Sequence, residues 1–283
     1  MFKSSRTAIL LIVAATLAFP TSSFASHSWG GYHWARTSNP FTLKLGNNLT
    51  SADWVGHFRQ TIRDWNAGNT PLTSAEVTGS SNKRCSMLAG TTQVCNGTYG
   101  NNGWLGLASI NITGGVHITQ GSAKMNDTYF NTSTYNNTNE REHVMCQEVA
   151  HTFGLDHQST DGGSLNTCMD YFSNTGANAG STLSTKPNAH DFEELNTIYA
   201  HTDSTTTVSS FEGSVFSLNP TSDDDSMFDT ADKWGKVVDA TPDGQTTTYA
   251  KELPNGDTQI TFVIWARDYG TDRTVRVPAR DRE

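Results

Sequence analysis

The 283-residue sequence predicts an α+β fold with a mixed, twisted β-sheet. Three observations indicate it. Short segments of strand-like pattern are concentrated between residues 41 and 120, and longer segments with helical character occur at residues 52–66, 140–153 and 189–200. A further pair of strand-like segments follows residue 245, which predicts a small β-rich appendage at the C-terminus.

The first 25 residues have the pattern of a secretory signal peptide. Lys3 and Arg6 precede an apolar run at residues 8–19, and the Ser-Phe-Ala triplet at residues 23–25 fits a small-x-small cleavage site. This run is too short to cross roughly 30 Å of hydrocarbon, so a cleaved signal is favoured over a membrane anchor. We therefore expect a secreted, extracellular protein with no membrane association after signal removal.

The first strand and helix follow the signal. Residues 41–45 alternate apolar and polar side chains and predict a strand. Residues 52–66 predict a helix that begins after the N-cap Ser51 and stops before Gly68. Helical spacing places four apolar residues on one face, which we interpret as a core face: Trp54, Phe58, Ile62 and Trp65.

The middle of the chain predicts two short strands, at residues 104–112 and 116–119, separated by Gly114-Gly115. A polar loop at residues 131–139 leads into the helix at 140–153, and a last helix at 189–200 follows Pro187-Asn188. These elements predict a domain over residues 26–202.

A Ser/Thr-rich linker at 203–212 separates this domain from the region 213–283. In that region, strands at 246–252 and 258–265 flank Asn255-Gly256, a favourable hairpin turn. The role of this region is not predicted by its sequence.

Charge excludes one class of function. The net charge is −9, and the lysines and arginines do not cluster as phosphate contacts require, so we expect no nucleic-acid partner. The chain is expected to act as a monomer.

The four cysteines of an exported chain predict two disulfides. Cys85 and Cys95 flank a short loop and are expected to pair, which leaves Cys146 for Cys168. A Cys₄ metal site is disfavoured because the sequence contains no Cys-x-x-Cys spacing.

The chemistry is concentrated in residues 147–157, Gln-Glu-Val-Ala-His-Thr-Phe-Gly-Leu-Asp-His. Gln147 and His151 are four residues apart on a helix and share a face, with Glu148 one position round from it. Gly154 can end the helix in a left-handed conformation, and the turn can return His157 towards His151. Two imidazoles and a nearby carboxylate are typical of a zinc site with a general base.

This segment resembles the metzincin signature H-E-x-x-H-x-x-G-x-x-H, with Gln147 at the position of the first His. Twelve residues after His157, Met169 in Thr-Cys-Met-Asp-Tyr looks like the Met-turn of that family, and Tyr171 follows it by two. The resemblance implies a zincin-like domain, with Gly154 and Met169 in structural roles.

The same resemblance implies a secreted Zn²⁺-dependent metalloendopeptidase that hydrolyses protein or peptide substrates. Glu148 would be the general base, and Tyr171 would help to stabilise the tetrahedral intermediate. His151 and His157 would be metal ligands, with Gln147 as a weaker third. A disulfide between Cys146 and Cys168 would join the active-site helix to the Met-turn.

The departure at Gln147 leaves three alternatives open. Gln147 binds metal through its side-chain oxygen, or Tyr171 or a carboxylate completes the shell, or the site binds no metal. The last alternative makes the chain a catalytically inactive zincin-like extracellular binding protein. His143 cannot substitute, because it lies about 12 Å from His151 along a regular helix. It is expected to be a surface histidine or to support a ligand.

Other polar residues receive plainer interpretations. His117 is either on the edge strand that aligns a substrate or simply at a half-exposed strand position. His190 has no evident partner in the sequence. Asp156 and Asp170 are expected in turns or in support of ligands.

Overall fold

The computed structural model describes residues 26–80, 84–210, 229–241 and 244–267. The predicted signal peptide lies outside this part of the chain. Within it, the helices are too short or too polar for any of them to cross a membrane.

Nine strands of the described chain form one mixed sheet in the order β3-β2-β4-β6-β5-β9-β8-β7, with β1 pairing separately with β6. The strands are β1 His33–Trp34, β2 Phe41–Asn48, β3 Leu72–Thr78, β4 Thr91–Gly97, β5 Trp104–Thr113, β6 His117–Asn126, β7 Lys236–Ala240, β8 Thr246–Glu252 and β9 Thr258–Trp265. Strands β2, β3, β4 and β6 run parallel, and β5 is antiparallel to both of its neighbours.

Four α-helices accompany the sheet in the described residues: α1 Ala52–Asn66, α2 Asp127–Phe130, α3 Thr138–His151 and α4 Ala189–Ile198. The predicted bounds of α1 are confirmed, and its N-cap Ser51 accepts a hydrogen bond from Trp54 N. The aromatic stripe of α1 packs into the core as predicted, with Trp54, Phe58 and Trp65 buried.

The C-terminal strands form the predicted hairpin, but they do not make a separate appendage. Strand β9 pairs with β5 over eight positions, from Trp104 opposite Trp265 to Ile112 opposite Thr258. Ile260 and Phe262 of β9 also belong to the main hydrophobic core. The hairpin therefore extends the sheet past β5, a long-range pairing that local sequence patterns do not encode.

The N-terminal segment lies along the turn that follows α3. Trp29 N donates to Gly154 O at 3.2 Å, and Asp156 N donates to His27 O at 2.6 Å. The indole Nε1 of Trp34 donates to Thr152 O at 2.8 Å. Residues 27–34 thus support the turn between α3 and His157.

Candidate metal centre

The turn after α3 depends on a glycine. Gly154 has a φ of 97°, in the left-handed region that side chains other than glycine rarely adopt. A Cβ at this position would lie 2.0 Å from Tyr32 O. The close approach of the N-terminal segment and the sharp reversal of the chain therefore both require Gly154, as its predicted role demands.

This reversal brings His151 and His157 together. Their Nε2 atoms are 3.1 Å apart, and both side chains are buried. Two nitrogens that each lie about 2.05 Å from a tetrahedral zinc are separated by roughly 3.3 Å, so the observed spacing suits two ligands of one ion. The predicted meeting of these two histidines is what the structure shows.

Hydrogen bonds fix both rings. The Nδ1 atom of His151 lies 2.9 Å from Leu155 O, a carbonyl that can only accept, so the hydrogen is on Nδ1 and the lone pair on Nε2. The Nδ1 atom of His157 lies 3.0 Å from the hydroxyl of Tyr171. Burial lowers the pKa of His151 to about 3, so the ring is neutral at physiological pH, which is the form that binds metals.

Glu148 is buried against the sheet. Neither of its carboxylate oxygens has a hydrogen-bond partner among the described residues. Strand β5 makes room for the carboxylate at Gly106, where a Cβ would lie 2.5 Å from Glu148 Oε1. Burial raises the pKa of Glu148 well above its ordinary value. An unpartnered carboxyl with a raised pKa is suited to accept and release a proton.

Gln147 faces the turn at residues 167–170. Its Nε2 donates to Cys168 O at 2.7 Å and to Asp170 O at 2.8 Å. Because both acceptors are carbonyls, the amide nitrogen must be the atom on that side. The side-chain oxygen is then the only atom of Gln147 that remains for a metal.

The turn itself is tight and buried. Asp170 N donates to Thr167 O at 3.2 Å, and Met169 has no exposed surface. The predicted disulfide between Cys146 and Cys168 is present and joins α3 to this turn, and the predicted Cys85–Cys95 disulfide is also present. Tyr171 leaves the turn and packs against His157, with ring centroids 4.3 Å apart and planes tilted by 50°.

His143 is not at the surface, contrary to one of the two interpretations from the sequence. It is buried, with Nδ1 3.1 Å from Asn174 Oδ1 and Nε2 3.1 Å from Asp170 O. Burial lowers its pKa to about 4. Its position on the same helix face as Gln147 brings it to the backbone of Asp170, and it therefore helps to hold the turn.

The C-terminal hairpin covers the site. Phe262 of β9 stacks on His151 with ring centroids 4.2 Å apart and planes 2° from parallel. Beside Gln147, a small cleft is lined by side chains that include His143, Tyr171 and Trp265. His151 itself lies behind β9, under the ring of Phe262.

Of the four polar residues with plainer predictions, Asp170 lies in the turn at 167–170 described above, and the other three lie elsewhere. His117 is not on an edge strand, because β6 is paired on both sides there, with β5 and with β1. His190 does have a contact, since its ring stacks on His27 with centroids 4.7 Å apart. Asp156 lies in the turn after α3, as predicted, and its Oδ1 accepts from His157 N at 2.8 Å.

A second group of possible ligands was missed by sequence reasoning. Within the described ranges, one set of three His, Cys, Asp or Glu residues has ligand atoms mutually within 4.8 Å: His33, His117 and Asp203. The sequence signal that could have revealed this group is the His-Thr-Asp triplet at residues 201–203. His201 and Asp203 are two residues apart, so both side chains can point towards one ion.

No family model matches the chain, and the search of curated proteins found no match. Among solved structures, the chain is similar to High choriolytic enzyme 1, a hatching enzyme zinc-protease from the medaka fish Oryzias latipes. The match has 13% sequence identity and a TM-score of 0.34, and it covers 59% of this chain and 94% of that chain. Because both values are low, the assignment of function depends on the side chains of this chain.

Proposed function

We propose that this protein is a secreted, zinc-dependent metalloendopeptidase of metzincin type. The observation that carries the proposal is the 3.1 Å approach of His151 Nε2 to His157 Nε2, with hydrogen bonds that fix both rings. The spacing and the neutral imidazole of His151 fit a zinc ion. The unpartnered carboxyl of Glu148 on the same helix fits the general base that such a site needs.

His151, His157 and the side-chain oxygen of Gln147 would hold the ion. Bound zinc supplies a lowered pKa to a coordinated water and polarises a peptide carbonyl. In the hydrolysis, Glu148 accepts a proton from the attacking water and passes it to the leaving amine. Tyr171, whose hydroxyl lies 3.0 Å from His157 Nδ1, orients that ring and can donate to the developing oxyanion.

Two features favour a second candidate, an inactive zincin-like binding protein. Gln147 is a neutral, weaker ligand than imidazole, and its amide nitrogen is already committed to the turn at 167–170. Strand β9 also covers His151 with Phe262. Either feature would permit a zincin-like domain that binds a partner without hydrolysing it.

The first experiment compares hydrolysis of an unfolded protein by zinc-loaded wild type and Glu148→Gln, with Glu142→Gln as the control. Glu142 is on the same helix but contacts His57, away from the histidine pair. We expect Glu148→Gln to lose activity by a factor of roughly 10² to 10⁴ and the control to keep it. Zinc-loaded wild type that cuts no unfolded substrate would reject the proposal in favour of the binding protein.

The second experiment measures zinc content and proteolysis in wild type and Gln147→His. If Gln147 is a working ligand, both proteins hold equal zinc at the centre and the variant gains no activity. If Gln147 has crippled the centre, the variant gains both zinc and proteolysis. The second result would assign the natural chain to the inactive class.

A further inference from the structure

Four side chains with metal-binding chemistry converge at a place separate from the proposed centre. His33 is in β1, His117 begins β6, and His201 and Asp203 follow α4. One oxygen, Asp203 Oδ1, lies 3.4 Å from His33 Nε2, 3.2 Å from His117 Nε2 and 3.6 Å from His201 Nε2. The Nε2 atoms of His33 and His201 are 3.1 Å apart. We refer to these four residues as the His₃Asp cluster.

Four of the six ligand-to-ligand separations in the His₃Asp cluster match tetrahedral coordination. Ligand atoms about 2 Å from a tetrahedral zinc lie roughly 3.3 Å from one another. These four separations fall between 3.1 and 3.6 Å, and the ligand atoms of His33, His117 and Asp203 all lie within 4.8 Å of one another. Three imidazoles and one carboxylate are also donors that zinc accepts in proteins.

Contacts on the far side of two ligands fix their orientation. His33 Nδ1 lies 2.8 Å from Gly31 O, so the hydrogen is on Nδ1 and the lone pair of Nε2 faces the cluster. Asp203 Oδ2 accepts from Arg36 Nη1 at 2.9 Å and from Arg36 N at 3.1 Å. These bonds leave Oδ1 free of Arg36 and aimed at the three histidines.

Within the His₃Asp cluster, several acceptors share few hydrogens. Since His33 Nε2 can only accept in the neutral ring, His201 Nε2 has one hydrogen to divide between His33 and Asp203. A cation at the centre would use every one of these lone pairs.

The His₃Asp cluster is reachable from solvent. The side chains of His33 and Asp203 are 6% and 10% exposed, whereas His201 is 50% exposed and His117 is 29% exposed. An ion can therefore enter past His201 and reach the buried pair, as a metal site requires.

We propose that the His₃Asp cluster is a structural Zn²⁺ site that clamps the N-terminal segment to the rest of the domain. With four protein ligands the coordination is closed, which is the usual form of a structural site. His33 is adjacent to Trp34, whose indole holds Thr152 at the end of α3. The clamp thus secures the segment that supports the turn presenting His157, while its ligands are separate from those of the proposed catalytic ion.

The test measures zinc per chain after dialysis, with the full chain and paired variants. Wild type is expected to hold about two zinc ions, and His151→Ala/His157→Ala is expected to hold about one. Addition of His201→Ala and Asp203→Asn to that double variant should remove the remaining ion. His201 is half exposed, so its replacement should leave the fold intact. The control, His190→Ala in the double variant, removes a histidine outside the cluster and should keep the ion.

Thermal unfolding gives an independent readout. Zinc should raise, and a chelator should lower, the Tm of His151→Ala/His157→Ala, and both shifts should vanish with His201→Ala. The proposal is overturned if the double variant retains no zinc, or if His190→Ala abolishes binding as effectively as His201→Ala. His151 and His157, the proposed catalytic ligands, are replaced in every variant of this comparison. These outcomes therefore do not depend on whether the chain is a peptidase.

Discussion

At the scale of single residues, Glu140 shows how burial sets the behaviour of a charge. It lies in the first turn of α3 and is 3% exposed. Its carboxylate accepts a hydrogen bond from Asn174 N at 2.6 Å and from Ser173 Oγ at 3.2 Å. Desolvation outweighs these bonds and raises the pKa of Glu140 to about 7. The residue therefore titrates near neutral pH.

Glu140→Gln is expected to flatten the pH dependence of stability. A raised carboxyl pKa contributes stability that is full below the ordinary value of 4.5 and is lost as pH rises through about 7. The difference amounts to about 3 kcal/mol of unfolding free energy. Urea denaturation from pH 4 to 8 measures it, with exposed Glu193→Gln as the control. An unchanged difference between pH 4 and pH 8 in Glu140→Gln would contradict the burial effect.

At the scale of elements, α3 and the turn at 167–170 behave as one unit. The Cys146–Cys168 disulfide joins them, Gln147 donates to Cys168 O and Asp170 O of the turn, and His143 contacts the same Asp170 O. His157 follows one end of this unit and Tyr171 follows the other. The rigidity of the unit therefore sets the distance between the possible ligands and the tyrosine that packs against His157.

Removal of the Cys146–Cys168 link should loosen both the fold and the site. The bridged residues are 22 apart in sequence. Closure of a loop of that length contributes about 3 kcal/mol in the chain-entropy model. We expect Cys146→Ala/Cys168→Ala to lose that stability in denaturant titration and to bind zinc more weakly at the proposed centre. Cys85→Ala/Cys95→Ala should lose a similar amount of stability but keep its zinc affinity. Equal zinc affinity in both variants would contradict a role for the first disulfide in the site.

Elements with strong local signals were predictable from the sequence. The aromatic spacing of α1 and the Asn-Gly turn between β8 and β9 each depend on neighbouring residues, and their bounds are confirmed. The meeting of His151 with His157 was also predictable locally, because the two residues are six apart and Gly154 between them adopts the left-handed conformation that reverses the chain. The convergence of His33 with Asp203 joins residues 170 apart, and nothing in the local pattern of either segment specifies the other.

At the scale of the whole molecule, the sheet continues through β5 into the C-terminal hairpin. Ser109 Oγ and Thr261 Oγ1 are 3.0 Å apart across this junction, and Trp29 packs edge-on against Phe262. The hairpin thereby contributes side chains to the main core and pairs a strand that would otherwise be an edge. We expect the described residues between 26 and 267 to unfold as one cooperative unit.

A chain ended after Ser210 should therefore be unstable. It loses Ile260 and Phe262 from the core, worth about 1.5 to 3 kcal/mol each, out of a typical domain stability of about 5 to 15 kcal/mol. It also exposes β5 as an unpaired edge, which promotes association between chains. We expect a lower Tm and oligomers in size-exclusion chromatography, whereas a chain ended after Arg267 keeps the hairpin and should behave as the full chain does. A monomeric truncated chain with an unchanged Tm would instead restore the separate appendage that the sequence predicted.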